Sequence, residues 1–138
     1  MSFPPTWLAL DVGGANLKAA HSSGQARALP FELWKRPDEL PRALGSLAST
    51  LPKADRVALT MTAELCDCYP TKQIGVYAVL DAVLDVFAGL SVAVWGIDGQ
   101  FHEVCAIRHQ PELAAAAKAG CPVSKVLKAE ITLNATLE

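Results

Sequence analysis

Asp11, Gly13, Gly14, Asn16 and Lys18 crowd into one stretch, LALDVGGANLKAA, residues 8–20. An apolar run that ends on a carboxylate and then turns on two residues without side chains suits one kind of chemistry, the binding of phosphate. Successive backbone N–H groups in a glycine-rich turn form a nest for phosphate oxygens. Gly13 and Gly14 let the backbone come close because no Cβ intervenes. Asp11 would not touch an anion; it would hold Mg²⁺ or its waters between itself and the phosphates. Asn16 would donate to a phosphate oxygen, and Lys18 would add positive charge. The plainer reading of the same residues is a hairpin whose Gly-Gly turn is capped by the aspartate, and on these residues alone both readings stand.

Other residues with chemical potential are scattered. Cys66 and Cys68 form a C-x-C, while Cys105 and Cys121 are distant from them and from each other. Zinc sites use paired C-x₂₋₄-C spacings, so the four read as ordinary small thiols. His21, His102 and His109 show no metal spacing and read as surface or edge residues. Asp98, in GIDGQ, reads as a turn residue.

The whole chain bounds what such a site can serve. Its 138 residues are 51% hydrophobic and 19% charged, with a net charge of −2, which describes a domain with a real core and no nucleic-acid footprint. No apolar run reaches a membrane span of about 18 residues, because Asp81 and Asp85 interrupt the longest one. MSFPPTW lacks the basic and apolar regions of a signal peptide. The expectation is a cytoplasmic protein with reduced thiols, with no nucleic acid and no membrane among its partners.

The elements that must position the site follow from periodicity. WLALDV (7–12) reads as a buried strand, NLKAAHS (16–22) as its hairpin partner, and ALPFELW (28–34) as a third strand with Pro30 at an edge. Leu40, Ala43, Leu44, Leu47 and Leu51 share one face of a helix with Asp38 as its N-cap. DRVALTMT (55–62) is a buried fourth strand. Val76, Val79, Leu80, Val83, Leu84 and Phe87 fall at helical spacing, with Asp81 and Asp85 on the other side. SVAVWG (91–96) is a fifth strand, and IDGQFHEV is a turn leading toward a short sixth. Continuous apolar runs predict that 7–12, 55–60 and 91–95 lie side by side and parallel. The expected class is α/β, a mixed five-stranded sheet in the order β-β-β-α-β-α-β with helices on both faces. Residues 1–103 form that domain, and residues 104–138 form a helical or irregular tail in which PELAAAAKAG is a short helix.

This order resembles the ribonuclease-H-like repeat, the half-molecule of actin-like proteins. The first stretch resembles the first phosphate loop of the acetate-kinase, sugar-kinase, heat-shock-chaperone and actin superfamily, Asp-x-Gly-Gly-Thr, with Ala15 where the kinases carry Thr. LTMTAELCDCYPTKQIGV (59–76), together with DVGGANLKAA and VWGIDGQF, resembles a branch of the hydantoinase/oxoprolinase-like proteins that serves tetrahydromethanopterin-linked C1 transfer and methanofuran biosynthesis. The resemblance covers about residues 7–101.

The resemblance implies a transferase whose phosphate loop holds a substrate diphosphate, released as pyrophosphate with Mg²⁺ neutralising its charge. It implies that Glu64 or Asp67 binds an amine or takes a phenol proton, and that Thr60 and Thr62 hydrogen-bond phosphate. Lys72 would pair with phosphate or sit in solvent. The alternatives are an ATP-binding module, which Ala15 disfavours, and a non-catalytic half that acts by joining another chain. Members of the resembling family are longer, and a second half closes their cleft. One half alone is therefore expected to be inactive or nearly so, and to self-associate as a homodimer.

Overall fold

The computed structural model describes residues 3–114. The N-terminal apolar run becomes β1 (Trp7–Val12), followed across a short turn by β2 (Asn16–His21) and then by β3 (Ala26–Pro30), an antiparallel meander. β4 (Arg56–Met61) adds to β1 in parallel and β5 (Ser91–Trp95) adds to β4 in parallel. β6 (Phe101–Glu103) returns antiparallel along β5. The sheet therefore has six strands in the order β3-β2-β1-β4-β5-β6, with β1, β4 and β5 adjacent and parallel as their apolar runs predict. The sixth strand, three residues long, makes the count differ from the expected five.

The helices are α1 (Leu40–Ser49), α2 (Lys72–Val86) and α3 (Val104–His109). They do not cover both faces. α1 and α2 pack against each other and share one core with the sheet, and α3 sits beside α2, where the Tyr77 hydroxyl donates to the Arg108 carbonyl at 2.8 Å and Arg108 pairs with Asp81. The physical reason is chain handedness. β3 and β4 are parallel, as are β4 and β5, and both crossovers step the same way across the sheet. Right-handed crossovers in one direction deposit their helices on one face.

Three local expectations are also corrected. β3 ends at Pro30 rather than continuing to residue 34, because the amides of Phe31 and Leu33 turn back to the carbonyls of Ala15 (2.9 Å) and Gly14 (3.0 Å). Asp38 is not an N-cap; it lies inside a 3₁₀ turn, Pro37–Glu39, that leads into α1. His21 is buried, 3% exposed, rather than a surface residue. Its Nε2 donates to the Lys53 carbonyl at 3.2 Å and its Nδ1 accepts the Ser23 amide at 3.0 Å. The expected 111–120 helix falls largely outside the described residues. Within them, Pro111–Leu113 is a 3₁₀ turn and Ala114 bridges to Gly96.

Strand alternation divides the sheet sharply. Leu8, Leu10, Val12, Leu17, Val57, Leu59, Met61, Val92 and Val94 face the helices, where Leu40, Leu44, Leu47, Val76, Val79, Leu80 and Val83 meet them. On the other face a row of small residues crosses the middle of the sheet. Ala26, Ala20, Ala9, Ala58 and Ala93 are register neighbours across five consecutive strands. At the amino end of β1, the Thr6 amide and hydroxyl both donate to Asp55 Oδ2, at 2.8 and 3.0 Å, clamping β1 to the entry of β4. Those bonds hold the Asp55 carboxyl below its ordinary pKa. No described helix is long and apolar enough to cross a membrane.

Candidate functional site

At the carboxyl end of β1 the chain turns through Gly13, Gly14 and Ala15. The Gly13 amide donates to the Asn16 carbonyl at 3.0 Å, closing the turn on itself. The carbonyls of Gly14 and Ala15 are held from behind by Leu33 and Phe31. The amides of Gly14 and Ala15 donate to no acceptor among the described residues. Two successive N–H groups of residues that line the cleft are thus left without an acceptor among the described residues. Of the glycine-turn amides expected to act together, that of Gly13 is consumed in the turn, and those of Gly14 and Ala15 are left.

The glycines are required for space rather than for an unusual backbone, since neither has a positive φ. A Cβ on Gly13 would lie 3.0 Å from the Asn16 carbonyl oxygen, and one on Gly14 would lie 2.6 Å from the Cys66 sulfur. Cys66 belongs to the loop after β4, so Gly14 lets that loop press directly on the turn. Burial is the first cause of a raised pKa at this thiol, with Cys68 and Asp67 adding to it.

A cleft of about 280 Å³ opens here, lined by Asp11, Gly13, Gly14, Ala15, Asn16, Lys18 and Thr62. Asp11 on β1 is the register partner of Lys18 on β2 and of Thr60 on β4, so one row across three strands carries an anion, a cation and a hydroxyl. Their side chains share the face opposite the helices. The structure therefore brings together six of the residues singled out from sequence. Thr60 stands apart from them: it is fully buried, it does not line the cleft, and its hydroxyl has no hydrogen-bond partner among the described residues.

The two candidate carboxylates of the second loop part company. Asp67 is exposed. Glu64, in a 3₁₀ turn Ala63–Leu65, is 2% exposed, and neither of its carboxylate oxygens has a hydrogen-bond partner among the described residues. Burial pushes its pKa up to about 7, against weaker opposing pulls from its own amide and from Lys72. The ammonium of Lys72, an exposed residue at the start of α2, thus acts on Glu64 from a distance. Helix α2 reaches this turn through Gly75, where a Cβ would meet the Glu64 Cα at 2.7 Å and its carbonyl oxygen at 2.8 Å. Thr71, which the sequence reading passed over, caps α2 by accepting the Ile74 amide at 3.1 Å. Its T-x-x-apolar spacing before a helical run was a usable signal; Gly75 offered none, because its role is a contact with a residue eleven positions away.

Asp98 is a turn residue. Its Oδ1 accepts the Gln100 amide at 3.1 Å, and both oxygens lie against His102 Nε2, at 3.0 and 2.9 Å, which lowers its pKa. Cys66 and Cys68 are half-buried and Cys105 is exposed; Cys121 lies outside the described residues. No cluster of three or more His, Cys, Asp or Glu able to hold a metal occurs among the described residues.

A mixed α/β sheet with a glycine-turned cleft at the carboxyl end of its first parallel strand is the class of protein that fold and site define. No family model matches the chain. Over 97 residues, 68% of its length, it is 39% identical to the (4-{4-[2-(gamma-L-glutamylamino)ethyl]phenoxymethyl}furan-2-yl)methanamine synthase of Methanocaldococcus jannaschii. The match amounts to 28% of that enzyme, so the chain spans little more than a quarter of the curated relative.

Proposed function

We propose that the cleft binds the diphosphate of an activated substrate, and that the chain is the corresponding part of a transferase of methanofuran or related C1-carrier biosynthesis. The observation that carries the reading is the pair of amides at Gly14 and Ala15, without acceptors among the described residues, in a cleft lined also by Asp11, Asn16, Lys18 and Thr62, in a chain similar to a synthase that by its name makes a phenoxymethyl ether. An ether of that kind forms when a phenol oxygen bonds to a methylene carbon, the bond from that carbon to a diphosphate oxygen breaks with its electron pair leaving on pyrophosphate, and the phenol proton passes to a base.

Each residue has a part in such a step. The Gly14 and Ala15 amides, the Asn16 side chain and the Thr62 hydroxyl orient phosphate oxygens, and Lys18 opposes the charge that gathers on the leaving group. Mg²⁺ is commonly held by one or two carboxylates plus substrate phosphates, so a single carboxylate, Asp11, fits it. When bound there, the ion supplies further charge neutralisation. Of the two carboxylates Glu64, whose pKa burial pushes up to about 7, is the proposed proton acceptor; it lies outside the cleft lining, two residues beyond Thr62, so the turn Ala63–Leu65 must open for it to meet a phenol. Asp67 remains in solvent.

Calorimetric titration of the chain with Mg-pyrophosphate and, separately, with Mg-ATP tests the reading. Pyrophosphate should bind, and Asp11→Ala and Lys18→Ala should each weaken it by about tenfold or more. Equal binding by all three proteins removes this cleft from the reaction. Binding of ATP in preference to pyrophosphate would turn the reading toward a nucleotide module.

A further inference from the structure

The loop between β4 and α2 holds two thiols that do not line the cleft. The Tyr69 amide donates to the Cys66 carbonyl at 3.1 Å, so Cys66, Asp67, Cys68 and Tyr69 form one tight turn. That bond folds the first and third residues toward each other. Two Cα–Cα steps of about 3.8 Å, bent by a turn, fall within the span of about 4.4–6.8 Å that a disulfide bridges. The Cys68 side chain reaches the Cys66 thiol within hydrogen-bonding range. Both sulfurs also act on the Tyr69 hydroxyl, whose pKa is pushed up to about 12, first by burial and then by Cys68 and Cys66. The two half-buried thiols therefore share one side of the turn, with the exposed Asp67 between them.

The pair also touches the anion turn. Cys66 Sγ presses into the space that a Cβ on Gly14 would need, 2.6 Å from it. Among the described residues, chain neighbours aside, no other atom comes within 4 Å of that point. Gly14 carries one of the two amides without an acceptor among the described residues.

We infer that Cys66 and Cys68 are a redox pair, which closes to an intramolecular disulfide and in closing shifts the Gly14 turn. The oxidant is a low-molecular-weight disulfide. Cys68 begins the exchange, because burial raises the pKa of Cys66 and makes it the slower nucleophile. The Cys68 thiol loses its proton and its sulfur attacks the oxidant, whose S–S bond breaks to release one thiol and leave a mixed disulfide. Cys66 then loses its proton, attacks Cys68 Sγ and expels the second thiol. Two protein thiols are oxidised, one small disulfide is reduced, and the two protons end on the two thiols released. The ring so formed spans only residues 66–68, and strained or exposed disulfides are the easily reduced ones, so the bond is reversible. Bonding brings the sulfurs to about 2.05 Å, which draws Cys66 Sγ from its place against Gly14. That the Gly14 amide serves an anion rests on the diphosphate reading; that it moves does not.

The test uses the full chain carrying Cys105→Ser and Cys121→Ser, which leaves the pair as its only thiols. After equilibration with oxidised glutathione and then alkylation, mass spectrometry should show a monomer two hydrogens lighter, free of alkyl group and glutathione. Its bond should map to a peptide containing residues 66–68, and dithiothreitol should restore two alkylatable thiols. A persistent mixed disulfide, two free thiols or a disulfide between chains overturns the pair. Nitrogen-15 amide spectra give the second readout. Oxidation should shift the Gly14 and Ala15 amides and leave in place those of Gly24, between β2 and β3, and Gly89, between α2 and β5. Unmoved Gly14 and Ala15 amides in the oxidised chain overturn the link to the cleft. Neither readout requires a ligand, so a failure of pyrophosphate to bind counts against the diphosphate reading alone.

Discussion

The two sides of one sheet solve opposite problems with the same strands. On the helix side, branched and long residues such as Leu10, Leu59 and Val94 reach out to meet α1 and α2, and the core is made by side chains interlocking across a wide gap. On the other side, Ala9, Ala58 and Ala93 hold the surface flat. The carboxylates follow the same division. Glu64 sits at the helix side, pressed by Gly75 and kept from water; Asp11 stands at the end of the alanine side, in an open cleft next to Lys18. One carboxylate is kept from water and the other stands in an open cleft beside Lys18, so the sheet keeps two carboxylates in unlike surroundings.

Four substitutions would break or sharpen this contrast. The largest effect belongs to Leu59→Ala, which should lose about 2–5 kcal/mol of stability in urea unfolding, because the fully buried site loses both contact and volume; a loss no larger than an exposed position gives would mean that the helix side is not the main core. Next is the linkage at Glu64. Its pKa is raised from an ordinary 4.5 to about 7, so the folded state binds more protons than the unfolded one between those values, and stability falls as pH rises through that window, by about 3 kcal/mol in all. Comparing unfolding at pH 4.5 and pH 8 for wild type and Glu64→Gln should show the substitution removing that slope; parallel pH profiles would show that the carboxyl is solvated. Ala58→Leu should cost about 1–3 kcal/mol by overpacking a closed surface, whereas on an open sheet face the larger residue would be neutral or better. Smallest is Asp11→Asn, which should shift stability by no more than about 0.5 kcal/mol while pyrophosphate titration loses its signal. A large loss of stability there would make Asp11 a structural residue first.

What the sequence disclosed was local. The apolar runs of β1, β4 and β5, the inward faces of α1 and α2, and the clustering of Asp11, Asn16 and Lys18 about a glycine turn all follow from spacing along a few turns or strands. What it withheld was relational. Which side α1 and α2 occupy depends on the direction each crossover takes across the sheet, a property of strand order. Phe31 and Leu33 look like strand because they alternate with polar residues; they alternate because both tuck under the glycine turn, whose carbonyls take their amides. Glu64 and Asp67 look alike in the loop. Only the arrival of Gly75 from α2 distinguishes the one that is buried.

The clamp between Thr6 and Asp55 joins residues 49 positions apart, and β1 acquires its parallel neighbour only when that span is complete. On a ribosome adding about 5–20 residues each second, the span takes about 2–10 s to synthesise. Through that interval β1, β2 and β3 can form their meander, since the intervening turns are short, but the far edge of Trp7–Val12 has nothing to pair with. An apolar strand with a bare edge is a template for any other extended chain. The order of elements along this polypeptide therefore leaves a largely apolar strand waiting for its parallel partner, and makes the emerging chain most vulnerable to association before its first helix has found the sheet.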